Sequence, residues 1–155
     1  MNDRVKPVPD GYRPVSPYLI VDDTSAAIEF YAKVFGAEET IRVPTADDKG
    51  VMHAEIRIGG DAVMLGDANP DWGLKSPKML GESPASIYLY VEDVDAIVAA
   101  AVAAGATELM PVTDMFWGDR MGKVLDPFGH TWAIASHVAD LTPEEMEARR
   151  KAMFS

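Results

Sequence analysis

Imidazoles, carboxylates and phenols that could cooperate are few in this 155-residue chain. His53 and Glu55 lie two apart in a run, 51–58, that reads as a strand, so their side chains share one face. Inside a cavity they would form an imidazole–carboxylate pair, one acting as base and the other orienting it. On an outer face they are ordinary solvated groups, and Arg57, on the same face, would pair with Glu55. Phe116-Trp117-Gly118-Asp119-Arg120 sets two aromatics beside a guanidinium, a combination suited to a planar or anionic ligand. The alternative is that Asp119 and Arg120 pair with other charges and hold the loop. Trp72, in a long loop over 67–84, is a candidate lid residue. His130 follows a turn glycine and reads first as a turn-packing residue. His137 could reach a cavity rim or pack the C-terminal tail.

Other chemistries are missing from the pattern. There is no cysteine, hence no disulfide framework, thiolate nucleophile or cysteine metal site. No glycine-rich phosphate loop appears, and no serine sits in a strand–turn–helix nucleophile context. The formal charge of −11, from 14 basic and 25 acidic residues, argues against a nucleic-acid partner. No apolar run approaches the ~20 residues of a membrane span, and the polar, proline-bearing start is not a signal peptide. A soluble cytoplasmic protein is expected.

The elements that must position these residues can be read along the chain. Residues 1–13 form an irregular lead-in. A strand over 15–21 is followed by a helix capped at Asp23 or Thr24, whose Ala27, Ile28, Tyr31, Val34 and Phe35 recur at helical spacing. Gly36 ends it. Strands are expected over 39–43, 51–58 and 62–65, the last two as a hairpin across Gly59-Gly60-Asp61. The pattern then restarts: a strand over 86–91, a helix from Asp93 to Ala104 stopped at Gly105, a strand over 108–112, a loop over 113–119, and a hairpin of 120–125 and 130–136. The hairpin turn, Asp126-Pro127-Phe128-Gly129, has the residue types such a turn requires. Thr142-Pro143-Glu144-Glu145 makes a capping box for a last short helix.

The restart is measurable. At an offset of 70, Ser16, Tyr18, Leu19, Val21, Asp23 and Ala26 meet Ser86, Tyr88, Leu89, Val91, Asp93 and Ala96; at 69, Gly36-Ala37 and Gly60 meet Gly105-Ala106 and Gly129. This predicts an α+β chain of two tandem βαβββ modules with mixed sheets, over 14–67 and 85–137, joined by a linker over 68–84 and followed by a helical tail over 138–155. Each module has one helix for one face of its sheet. The other face needs cover from the second module, a partner chain or a ligand.

On Pro17-Tyr18-Leu19-Ile20-Val21-Asp22, Ala27-Ile28-Glu29-Phe30-Tyr31, Val34-Phe35-Gly36-Ala37, His53-Ala54-Glu55-Ile56, Tyr88-Leu89-Tyr90-Val91-Glu92-Asp93-Val94-Asp95 and Asp126-Pro127-Phe128-Gly129-His130-Thr131-Trp132, the chain resembles the vicinal oxygen chelate superfamily of glyoxalase I, bleomycin-resistance proteins and extradiol dioxygenases. It looks most like the PhnB-like branch. The resemblance implies curled sheets around a cup-shaped cavity, commonly in a homodimer. The linker is long enough for the modules to pair within one chain or to swap across a dimer. The resemblance also implies, in metal-dependent members, a divalent ion held by His, Gln or Glu from the first and last strands of each module. Those four positions fall here on Ser16, on Leu65 (or Met64 by the repeat offset), on Ser86 and on Ala133, none an ordinary ligand for such an ion. The usual metal site is therefore expected to be absent, and no cofactor is expected.

By parity with Ser16 and Ser86, Tyr18, Tyr88 and Tyr90 should face the cup, as hydrogen-bonding groups or as filling. The expectation is a binding protein for a small organic molecule in an aromatic-lined cavity, with Tyr18, Tyr88, Tyr90, Phe116, Trp117 and Arg120 as ligand contacts. One alternative is a metal-independent isomerase or lyase using His53, Glu55 or the tyrosines as acid–base groups. Another is a divalent-metal enzyme with displaced ligands among His53, Glu55, Asp67 and His137.

Overall fold

The computed structural model describes residues 5–155; residues 1–4 of the expected lead-in lie outside the described residues. The chain divides into two compact units, the first running to Gly81 and the second starting at Glu82.

In the first unit, strand β1 (Tyr18–Val21) leads into helix α1 (Thr24–Phe35), followed by β2 (Glu38–Pro44), β3 (Val51–Ile58) and β4 (Asp61–Asp67). The sheet order is β1-β4-β3-β2, with β1 parallel to β4 and the other pairs antiparallel. Asp23 caps α1 by accepting from the Ala26 N–H, and Gly36 takes a left-handed conformation at its end. The helix buries Ala27, Ile28, Phe30, Tyr31 and Val34. The sheet answers with buried Leu19, Val21, Ala54, Ile56, Val63 and Leu65. Cross-strand register puts Tyr18, Met64 and Glu55 in one row, so these side chains lie on the opposite, open face.

The stretch over 67–84, expected as loop, holds more order. A 3-10 turn (Pro70–Trp72) is closed by a bridge between Asn69 and Leu74. A one-turn helix α2 (Pro77–Leu80) follows, and the buried Ser76 Oγ donates to Asp22 Oδ1. Proline at the first position and a serine cap explain this turn, a start signal easily missed in so short a helix.

The second unit repeats the plan: β5 (Ser86–Tyr90), helix α3 (Val94–Ala103), β6 (Thr107–Asp114), β7 (Asp119–Leu125) and β8 (Thr131–His137), in the order β5-β8-β7-β6 with β5 parallel to β8. Helix α4 (Pro143–Met153) carries the full capping box between Thr142 and Glu145. The β7–β8 turn closes as its residue types demand: Gly129 N–H donates to Asp126 O, and Asp126 Oδ1 accepts from the Phe128 and His130 N–H groups. Each unit is thus an open, four-stranded mixed sheet with one long helix on one face.

The end of the last strand braces the helix start in both units. Asp67 Oδ1 accepts from Thr24 N–H at 2.9 Å, and Ser136 Oγ accepts from Val94 N–H at 3.0 Å. These pairs are 69 and 70 residues apart, so a different side chain does the same task at the same place.

Candidate functional site

On the open face of the first unit, β3 presents His53, Glu55 and Arg57, and β1 presents Tyr18. The Tyr18 hydroxyl lies 3.0 Å from His53 Nδ1, and His53 Nε2 lies 3.2 Å from Glu55 Oε1. Glu55 is only 6% exposed, and its other oxygen accepts from the Tyr12 hydroxyl. Burial alone would raise the Glu55 carboxyl, but the bonds from Tyr12 and His53 outweigh it and hold the group below the usual carboxylate range. With Glu55 ionised, the His53 tautomer that suits both contacts donates from Nε2 to Glu55 and accepts from Tyr18 at Nδ1. Burial pushes the Tyr18 phenol up, which favours its protonated form. The result is a fixed row: phenol, imidazole, carboxylate.

The lead-in closes one side of this row. Arg57 does not pair with Glu55: it donates to Gly11 O at 2.5 Å and lies over the Tyr12 ring at 4.6 Å. Arg13 pairs with Asp61 at 2.7 Å. Pro7, Pro9, Tyr12, Ser16, Glu55 and Met64 line a groove of about 580 Å³. Tyr12 is a site residue that sequence reasoning missed. Its partner is 43 positions away, and nothing in the spacing around Gly11-Tyr12-Arg13 announces it.

The second unit builds a different centre around Asp119, which is 1% exposed. Its Oδ2 accepts from Tyr88 at 2.7 Å, Tyr90 at 2.8 Å and the Trp117 indole at 3.1 Å, while Oδ1 meets His137 Nδ1 at 2.9 Å. Burial opposes ionisation of Asp119, yet these donors hold its carboxyl below the usual range. The same carboxylate, added to burial, pushes the Tyr88 phenol up to about 12 and raises Tyr90. His137 Nε2 lies 2.8 Å from Asp140, so the ring stands between two carboxylates, which raise it above its ordinary value. Beneath this cluster lie the small buried side chains Ala133 and Ala135 beside Met121, with Met110, Met115 and Trp117 packed against them.

Tyr88, Tyr90 and Trp117 are therefore brought together. Phe116 packs edge-on to Trp117 at 5.0 Å and against Phe154 at 6.1 Å. Arg120 is not brought to them. Adjacent strand positions face opposite ways, and Arg120 instead pairs with both oxygens of Asp95 at 2.8 Å and with Asp114 at 3.1 Å. Trp132 is a core residue, fully buried with its indole N–H on Asp126.

The register also tests the positions at which the resemblance would seat a metal. Ala133 pairs with Tyr88 as Met64 pairs with Tyr18, so Met64 is its counterpart, and Leu65 is buried against α1. Hydroxyl, thioether, hydroxyl and methyl groups at Ser16, Met64, Ser86 and Ala133 do not suit a divalent ion. Of the displaced set, His53 and Glu55 adjoin on β3, Asp67 accepts from the Thr24 and Val51 N–H groups, and His137 lies in the second unit; no group of three or more His, Asp or Glu side chains placed to hold a metal ion occurs among the described residues.

Comparison with known proteins gives these faces a context. The uncharacterized protein Mb0911c of Mycobacterium bovis is 47% identical over 137 residues, covering 86% of this chain and 90% of that one. At5g48480 of Arabidopsis thaliana is 31% identical over 127 residues, 78% of this chain and 76% of its own. Its X-ray structure matches with a TM-score of 0.62 over 80% of this chain and 98% of that chain. A Bacillus cereus protein described as a putative 3-demethylubiquinone-9 3-methyltransferase, PhnB protein, shares the fold: TM-score 0.62, 19% identity, 80% of this chain and 99% of that one. Residues 13–134 match the family model for the Glyoxalase/Bleomycin resistance protein/Dioxygenase superfamily. With its two βαβββ units and this match across most of its length, the chain belongs to the glyoxalase/bleomycin resistance protein/dioxygenase superfamily.

Proposed function

We propose that the protein binds a small organic molecule against the phenol-bearing open faces of its units, without a divalent ion at Ser16, Met64, Ser86 or Ala133. One observation carries this reading. Tyr18, Tyr88 and Tyr90 expose their rings while their hydroxyls are tied back to buried carboxylates, through His53 in one unit and directly in the other. Aromatic surface fixed in advance loses little conformational freedom when a ligand arrives. The reading extends to a homodimer in the cytoplasm, with sedimentation equilibrium expected to give twice the chain mass of 16.8 kDa.

The test is a screen of planar organic compounds by thermal shift and tryptophan fluorescence. Binders are expected to lose about tenfold in affinity in Trp117→Ala or Tyr88→Ala, the loss of one good aromatic contact. If no compound raises the melting temperature, or if both variants bind unchanged, the reading fails. The metal-free part is checked by elemental analysis after soaking in zinc, manganese, nickel or iron. Clearly less than one metal per chain and an unmoved melting temperature are expected; near-stoichiometric, stabilising metal would overturn it.

A second reading rests on the Tyr18–His53–Glu55 row. The Tyr18 oxygen would take a proton from an acidic C–H of the ligand as its own proton passes to His53 Nδ1, the imidazolium being stabilised by Glu55. An isomerase or lyase step of this kind requires that His53→Ala abolish turnover and leave ligand affinity intact.

A further inference from the structure

A second cavity lies at one end of the first sheet, where β2 and β4 finish and β3 begins. It encloses about 340 Å³ and is walled by Pro44, Val51, Met52, Leu74 and Trp72, with Asn69 at its edge. That volume is within the range of pockets that hold small organic molecules. It shares no lining residue with the groove at Tyr12, Ser16 and Glu55. Its lining residue Asp67 shares the helix-side parity of Leu65, since it braces α1, whereas Glu55 and Met64 belong to the open face.

Three features separate this cavity from a packing fault. Trp72 stands at its rim 67% exposed, at the tip of a turn rather than on a loose loop. That turn is locked: Asn69 N–H donates to Leu74 O at 2.8 Å, Leu74 N–H and Trp72 N–H both donate to Asn69 O at 3.0 Å, and Ser76 ties the next turn to Asp22. An exposed indole on an anchored turn is surface held ready for contact. The hydrogen-bonding groups are also unequally committed. Thr45 Oγ donates to Asp47 and accepts from Gly50, and both Asp67 oxygens are taken. Asn69, by contrast, holds the turn with its backbone alone, and its side-chain amide makes no capping bond.

We infer that this pocket is a second ligand site, which takes an uncharged planar aromatic molecule stacked on Trp72 and hydrogen-bonded to the Asn69 amide. Apolar walls with no lysine or arginine in the lining do not suit a carboxylate or phosphate, and Asp67, the one charged residue of the lining, already accepts at both oxygens. An amide both donates and accepts, so one hydroxyl or carboxamide on the ring would be satisfied.

The experiment is an amide-correlation NMR titration of the full chain with 2-naphthol and with benzamide. The Trp72 indole and Asn69 side-chain signals should move together and saturate. Trp72→Ala should weaken binding about tenfold. Ala46→Phe, which fills the pocket and leaves Trp72 in place, should abolish binding with the protein still folded by circular dichroism. Linear, non-saturating shifts, or Ala46→Phe binding as well as the parent chain, would overturn the site. Saturable shifts at Trp117 and Tyr88 with Trp72 still would also overturn it, while supporting the open-face reading.

Discussion

Asp119 accepts from two phenols, an indole and an imidazole, so the aromatic surface of the second unit hangs on one carboxylate. Asp119→Asn keeps the shape but turns an NH2 group toward donors. We expect a loss of about 2–4 kcal/mol in denaturant unfolding, the usual cost of a buried group set against unpaired neighbours. Its pH behaviour follows from two opposite shifts. His137 is raised above 6.5, so its pairing stabilises fully below that value and is lost as pH rises through the raised one. Asp119 is lowered from 3.8, so its contribution is present above that value and fades as pH falls through the lowered one. The cluster is thus firmest between the two ranges, and an NMR titration of His137 should show its midpoint dropping in Asp119→Asn.

At the scale of elements, what was legible in the sequence was local. Caps at Asp23, Asp93 and Thr142, the turn at Asp126, and the apolar stripe of α1 all depend on neighbours a few residues away, and all appear where their residue types require. The recurrence of Tyr18 as Tyr88 located the repeated modules. The centres themselves were less legible, because they join residues far apart. Tyr12 reaches Glu55 across 43 positions, and Arg120 turns to the face opposite Asp119, where its partner Asp95 lies 25 positions away. Register carries further information that offsets blur. Lys123 holds in the second unit the row position of Glu55 in the first, so the two open faces differ in charge at equivalent places. Close approach between strands gives a sharper test. A Cβ on Gly66 would lie 2.6 Å from Met52 O and 3.2 Å from the Tyr18 hydroxyl. Gly66→Ala should therefore lower stability by about 2–3 kcal/mol in a thermal melt and release Tyr18 from His53, because a backbone carbonyl yields little.

The whole molecule shows a third kind of feature. β2 and β6 each form one outer edge of a sheet, and neither is a clean strand. Every residue of β2 is exposed, Glu39 and Arg42 pair along it, and Pro44 ends it. β6 carries Pro111 within the second of its two register shifts, where it can offer no amide proton. Pro111→Val should restore that proton and raise thioflavin-T fluorescence on prolonged warming above the level of the parent chain. Interrupted edges of this kind give a passing strand no continuous ladder to extend. Along these two borders the molecule is guarded against fibril growth even when crowded at high concentration.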